Sequence, residues 1–312
     1  MADLKDYKIN IKAPAKINLH LELIGKRSDG YHELAMIMQS INLFDYLELE
    51  NNNNGELKLT TDSKELGLTK DNLIIKTANL LREFTNKRKF GANIFLKKNI
   101  PIGAGLAGGS SDAAATLVGL NKLWDLNLNS KIIHELASEI GSDVPFCING
   151  GTQYCFGRGE ILQKLEFNNN FSLILIKNPE VSISTADIYK KYSKKYDKYL
   201  QLSSTKIKER RENLTLMEFG NKIFLKNKIT IRNDLQKIVQ KESKSVNDAL
   251  NLLSELENIL SFSMSGSGPS CFAIFQDKDK AKVTYDKNIE KLKKYGFDVW
   301  ICDFCNEGIK FI

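Results

Sequence analysis

No stretch of this 312-residue chain is apolar for long enough to cross a bilayer, and its opening, MADLKDYKIN, lacks the apolar segment of a secretory signal. Cysteine is sparse. The five that occur (Cys147, Cys155, Cys271, Cys302, Cys305) are odd in number and unpatterned, which predicts free thiols in a reducing compartment. Cys302 and Cys305 form one C-x-x-C, but no second pair completes a zinc site, and DVWICDFC reads as a strand. Internal repeats are absent too. The expectation is a soluble cytoplasmic protein with no membrane partner, a monomer or a homodimer.

The surplus of positive charge is a modest +7. Its densest run, KKYSKKYDKYLQLSSTKIKERR at 190–211, reads as a solvated face or a loop, so no nucleic-acid partner is expected. A mild positive balance also suits a polyanionic small substrate. The composition, rich in lysine, asparagine and isoleucine, inflates that balance and weakens it as a sign of any partner.

What is present is globular: 42% apolar and 27% charged residues, in a chain long enough for two domains with a core each. Residues 9–24 alternate as a strand, with Ile17, Leu19, Leu21 and Leu23 on one face and Lys16, Asn18, His20 and Glu22 on the other. A turn at GKRSDG (25–30) leads to strand over 34–50, an asparagine loop at 51–55 and a helix over 71–85 that Asp71 can cap. A strand at 91–98 ends in Pro101 and a glycine loop, and helices are predicted from about Ser110 to Trp124 and from Ser130 to Ile140. Strands return near 152–156 and 171–177, and the basic run elaborates a helical region. From 233 onward the order is helix, helix, strand (261–275), helix (278–295), strand (297–304). That alternation predicts an α+β fold, a sheet layered with helices. FNNNF at 167–171 interrupts two structured stretches and sets the expected domains at 1–165 and 166–312.

The stretch NIPIGAGLAGGSSDAAATL, residues 99–117, carries the most chemistry. Gly103, Gly105 and Gly108 match G-x-G-x-x-G. A dinucleotide fingerprint, however, needs a strand running straight into the glycines and a second strand ending in an acidic residue. Here Pro101 intervenes, and Asp125, at the right distance, is followed by the helical SKIIHELASEI. No G-K-[ST] follows, which removes the Walker loop as well. There remains a loop whose N–H groups, with the N-terminus of a helix starting near Ser110, can hold phosphate oxygens. Ser110 or Ser111 can cap that helix or donate a hydroxyl to phosphate or Mg²⁺, and Asp112 suits the helix dipole. The alternative is a capped helix with small residues for close packing. SGSGPS (265–270) is either a plain turn or the second side of a nucleotide clasp. In GSDVP (141–145), Gly141 ends a helix as its C′ residue, and Asp143 is either a turn or cap residue or a catalytic one.

Taken in order, APAKINLHLELIGKRSDGYHEL, PIGAGLAGGSSDAAATL and SMSGSGPSCFAIF resemble the GHMP kinase superfamily of small-molecule kinases. PAKINL, GYHEL and GSDVPF resemble its branch acting on a cytidine-diphosphate-linked methylerythritol, and the resemblance spans essentially the whole chain. It implies ATP-dependent phosphorylation of the 2-hydroxyl of the methylerythritol moiety, a step of the non-mevalonate route to isoprenoids. The implied fold has an N-terminal β/α domain like the second domain of a ribosomal small-subunit protein, with a left-handed βαβ unit. A C-terminal ferredoxin-like α/β sandwich follows, and the substrate lies between the two.

Carried over position by position, the resemblance implies that Asp143 orients the hydroxyl and accepts its proton. It implies that Lys16 keeps this carboxylate ionised and stabilises charge developing on oxygen. ATP falls to Pro101, Gly103, Ala104, Gly105, Leu106, Ala107, Gly108, Gly109, Ser110 and Ser111. Tyr31 and His32 take the cytosine, with Tyr189 on its other face and Thr185 nearby. Asn18 holds substrate, and Ser267 and Gly268 steady the loop or the substrate. Ala107 stands where the family often has glycine, a mild change if its φ is negative. No carboxylate dedicated to Mg²⁺ is evident, so the metal is expected mainly on ATP, with Ser111 as a protein ligand. The stretch 190–211 matches no pattern of the family. Two alternatives stand: another kinase of the superfamily acting on homoserine, mevalonate or a sugar, and an inactive nucleotide- or RNA-binding module. GYHEL and PAKINL speak against the first, and Lys16 together with Asp143 against the second.

Overall fold

Two long antiparallel strands form the spine of the molecule: β1 (Lys8–Lys26) and β2 (His32–Asn52). The computed structural model describes residues 8–52, 54–64, 66–67, 71–166, 170–216 and 231–312. The opening residues 1–7, Asn53 of the asparagine loop and residues 167–169 of FNNNF lie outside them.

The simple alternation expected for β1 does not hold. Register shifts fall between Pro14 and Ala15, between Asn18 and His20, and between Leu23 and Gly25. Each extra residue turns the following side chains to the opposite face. Ala15, Ile17 and Leu19 therefore pack in one core, while Leu21 and Leu23 join Ile9, Ile11 and Ala13 in the other. Lys16 and Asn18 lie between the first two shifts.

Beyond β2 come β3 (Leu57–Thr61), α1 (Leu73–Phe84) and β4 (Gly91–Lys97), a βαβ unit whose two strands pair in parallel. Asn72, not Asp71, caps α1: its Oδ1 accepts from the Ile74 amide at 2.9 Å. Asp71 is one residue too early to reach that amide and pairs with Lys76 in solvent. Three helices follow, α2 (Gly108–Leu123), α3 (Ser130–Ile140) and α4 (Val144–Asn149). Next come β5 (Thr152–Gly157), which pairs with β2, and β6 (Ile161–Lys164). Gly141 ends α3 in extended backbone, φ 176°, rather than in the left-handed conformation of a C′ glycine.

The second half contains β7 (Ser172–Lys177), α5 (Thr185–Leu200), α6 (Ser204–Leu216), β8 (Arg232–Asn233), α7 (Gln236–Glu242) and α8 (Lys244–Ser254). It continues with β9 (Ile259–Met264), β10 (Cys271–Phe275), α9 (Lys278–Lys294), β11 (Asp298–Cys305) and β12 (Lys310–Phe311). The single strand expected over 261–275 is thus two antiparallel strands around the loop 265–270. The sheet order β11-β7-β10-β9, every neighbour antiparallel, is the ferredoxin-like order. The end of β11 pairs with β2 and β12 pairs with β1, so the chain finishes on the sheet where it began.

The basic run is helical. Arg210 bonds Glu22 of β1 at 3.0 Å, Arg211 bonds Glu33 of β2, and Lys191 reaches Glu242 of α7. Glu22 and Glu33, buried on the spine, anchor Arg210 and Arg211, while the seven lysines of the run are exposed, as a solvated face requires. Among the described residues no helix is long and apolar enough to cross a membrane.

Candidate active site

A cleft of about 1150 Å³ opens where the glycine loop, β1, the start of β2, α5 and the loop 265–270 meet. Every residue expected at the site lines it except Leu106 and Ser111.

The loop ahead of α2 is held from three sides. Its Leu106 side chain is buried in the core that β1 shares with β7 and β10, and the Leu106 carbonyl accepts from the Lys16 amide at 3.0 Å. Ser265 Oγ donates to the Gly105 carbonyl at 3.0 Å, and the Ser270 amide donates to the Ala104 carbonyl. Gly105 has φ +74°, and a Cβ there would lie 2.3 Å from the Ser265 carbonyl oxygen. The loop 265–270 is therefore a brace for the glycine loop.

The N-cap of α2 is Ala107, at φ 56° and ψ 27°, and it makes no side-chain cap. A left-handed alanine is strained by roughly 1–2 kcal/mol, so replacement of glycine there is not mild. The uncapped first turn leaves the amides of Gly108, Gly109 and Ser110 without intrahelical acceptors, aimed along the dipole at the cleft. Ser111 departs from expectation: fully buried, it donates its hydroxyl to the Pro14 carbonyl at 2.8 Å and ties α2 to β1. It does not fit as a metal ligand. Among the described residues no group of three or more metal-binding side chains exists.

Lys16 Nζ lies 2.8 Å from Asn18 Oδ1 and 3.5 Å from Asp143 Oδ2. Asn18 thus first orients the lysine. Asp143 precedes α4 in helical backbone, and its carboxylate makes no cap bond. Its side chain is 30% exposed, against 5% for Lys16. A carboxylate released from capping, facing a cleft and flanked by one buried cation, can accept a proton and hold a hydroxyl.

At the other end, Tyr31 is 54% exposed, with the Arg158 guanidinium 5.1 Å over its ring. His32 is buried, and its imidazole meets the Tyr189 ring at 5.3 Å, tilted by 41°. Burial first, and then Lys26, hold the His32 imidazole below its ordinary pKa and favour the neutral ring. Thr185 and Ser267 share a hydrogen bond of 2.7 Å across the cleft floor.

Known proteins bear on this arrangement. The N-terminal domain of GHMP kinases matches residues 72–151 and the C-terminal domain matches residues 211–294, together more than half of the chain. The chain belongs to the GHMP kinase family. A 4-diphosphocytidyl-2-C-methyl-D-erythritol kinase of Prochlorococcus marinus (strain MIT 9215) is 58% identical over 312 residues, covering 100% of both chains. One so named from strain NATL2A of the same species is 46% identical, covering 96% of this chain and 94% of its own. A crystal structure of 4-(cytidine 5'-diphospho)-2C-methyl-D-erythritol kinase superposes with a TM-score of 0.70 at 26% identity, covering 95% of this chain and 98% of the other. Mevalonate kinase of L. major, with a TM-score of 0.71 at 15% identity over 97% and 98%, shares the fold. This chain is accordingly a phosphotransferase of the GHMP type.

This GHMP kinase also has site features that its sequence did not announce. Beside the start of α2, Lys98 sits between Asp45 and Asp112, with Asp112 Oδ2 at 2.7 Å. Asp45 Oδ1 accepts from the amides of Asn99 and Ile100 at 2.6 and 2.8 Å. Burial, only partly offset by Lys98 and reinforced by Asp45, pushes the Asp112 carboxyl up to about 8. Its Oδ1 is buried without a partner. Sequence spacing gives no hint of this cluster, because its members come from β2, the end of β4 and α2. Ser193 is different: it follows Thr185 and Tyr189 at intervals of four, a spacing that puts all three on one stripe of α5.

Proposed function

We propose that this kinase transfers the γ-phosphoryl group of ATP to the 2-hydroxyl of 4-diphosphocytidyl-2-C-methyl-D-erythritol, as a cytoplasmic enzyme of isoprenoid precursor synthesis. The observation that carries the chemistry is the Lys16–Asp143 pair at 3.5 Å, in the cleft that the glycine loop, Tyr31 and His32 also line. Asp143 Oδ2 would accept the hydroxyl proton while Lys16 Nζ, steadied by Asn18, would counter the charge growing on the attacking oxygen. The open first turn of α2 supports phosphates on the amides of Gly108 to Ser110. Leu66 and Leu73, which line the apolar end of the cleft, suit the purine of ATP. Mg²⁺ would travel with the triphosphate, since Ser111 is committed to Pro14.

The cytidine of the substrate would lie against Tyr31, His32 and Tyr189. A recognition set of this kind rejects a base that leaves its polar groups unpaired. The test is ADP release with the diphosphocytidyl substrate, homoserine and mevalonate compared side by side. Turnover with the first alone is expected, and ADP release only with homoserine or mevalonate would overturn the reading. A uridine analogue should be a much poorer substrate.

A further inference from the structure

Helix α5 starts at Thr185 and runs on into the basic stretch that matches no family pattern, and it presents three side chains to the cleft at successive intervals of four residues. Thr185 bonds Ser267, Tyr189 lays its ring against His32, and Ser193 Oγ is hydrogen-bonded to His32 Nε2. His32 stands at the first position of β2, opposite Lys26 across the turn, where the backbone alone leaves its ring free to rotate. A neutral imidazole has one donor and one acceptor nitrogen. Which is which depends on the partner of the other nitrogen. Here the ring is fixed twice from the same helix, by the face of Tyr189 and by the hydroxyl of Ser193, and Nδ1 is the nitrogen left for a ligand.

We infer that Ser193 is a positioning residue for substrate recognition: it pins His32 through Nε2 so that Nδ1 is presented to the pyrimidine of the nucleotidyl substrate. This rests on the reading of Tyr31 and His32 as the base site. Ser193 itself need not touch the substrate. Its contribution is to remove rotational freedom from the imidazole before the base arrives, since a hydroxyl can pair with Nε2 in either tautomer.

The experiment uses the full chain with Ser193→Ala, Ser193→Thr and His32→Asn. A lost neutral hydrogen bond in the positioning of a recognition group should raise KM for the diphosphocytidyl substrate about 3- to 10-fold. Turnover and KM for ATP should stay near wild type, and Ser193→Thr, which keeps the hydroxyl, should restore most of the loss. The chain has only three histidines, so the ring nitrogens of His32 can be followed by long-range proton–nitrogen NMR and assigned with His32→Asn. In Ser193→Ala the Nε2 shift of His32 should move, because that nitrogen loses its hydrogen-bond partner. Alanine is a better helix former than serine, so the variant should fold. Unchanged nitrogen shifts, or a KM equal to wild type while His32→Asn raises it, would overturn the inference alone. If His32→Asn also leaves KM unchanged, the base-site reading falls and the inference with it.

Discussion

Lys16 and Lys98 line the same cleft, and each has aspartate beside it. Around Lys98 the side chains of Asp45 and Asp112 are 0% and 4% exposed, and two main-chain amides complete Asp45. Around Lys16 the single carboxylate lies farther off, at 3.5 Å, and is 30% exposed. The buried cluster has almost no freedom, so it locks β2, the end of β4 and α2 together at the glycine loop. The open pair is left incomplete, with room for a hydroxyl between carboxylate and solvent. Proximity to a lysine does not separate structural from reactive carboxylates; their burial or exposure does.

The contrast can be broken most sharply at Asp143. Asp143→Asn should lower kcat about 10²- to 10⁴-fold while ATP affinity and the thermal midpoint stay close to wild type. Near-normal turnover would remove Asp143 from the chemistry. At Asp45 the outcome should invert. Asp45→Asn leaves a buried lysine with one poor partner, and unfolding in denaturant should show a loss of about 3–5 kcal/mol.

A subtler difference lies in pH. Asp112 keeps its proton in the folded chain up to about 8, whereas an unfolded aspartate releases it near 4. Between those values the folded state binds more protons, so stability falls as pH rises and levels off above the folded value. Asp112→Asn carries no such proton. Its thermal midpoint should vary less than that of wild type from pH 5 to 8, and a parallel pair of curves would contradict the assignment. The smallest effect concerns the loop itself. Ala107→Gly should raise stability by about 0.5–1 kcal/mol, since glycine accepts φ 56° freely but loses more backbone entropy on folding. A destabilised variant would mean that the alanine methyl contributes packing beyond its strain.

Much of the fold was legible because its signals are local. The helix over Ser130–Ile140 and the strand at Gly91–Lys97 follow from periodicity and bounding residues alone. Where reading failed, a residue's conformation depended on distant chain. The alternation of β1 breaks at shifts set by pairing with β2, which no count of apolar residues along β1 reveals. Ser111 was expected at phosphate because it stands at a helix start, but the left-handed Ala107 begins the helix earlier and turns Ser111 inward to Pro14. The anchoring of Arg210 and Arg211 is illegible in the basic stretch because their partners, Glu22 and Glu33, lie on strands far back in the chain.

By itself the sequence determined which residue types could do chemistry: the glycines that free a helix terminus, a carboxylate before Pro145, a lysine on a strand, and an aromatic–histidine pair after a turn. These are short-range properties, written in spacing and in the conformational limits of single residues. Tertiary structure alone decided which lysine meets which aspartate, how exposed each pair remains, and that α5 supplies Ser193 to His32. Burial and three-dimensional distance set the strength of every charge and hydrogen bond, and neither exists until the sheets have closed around the cleft.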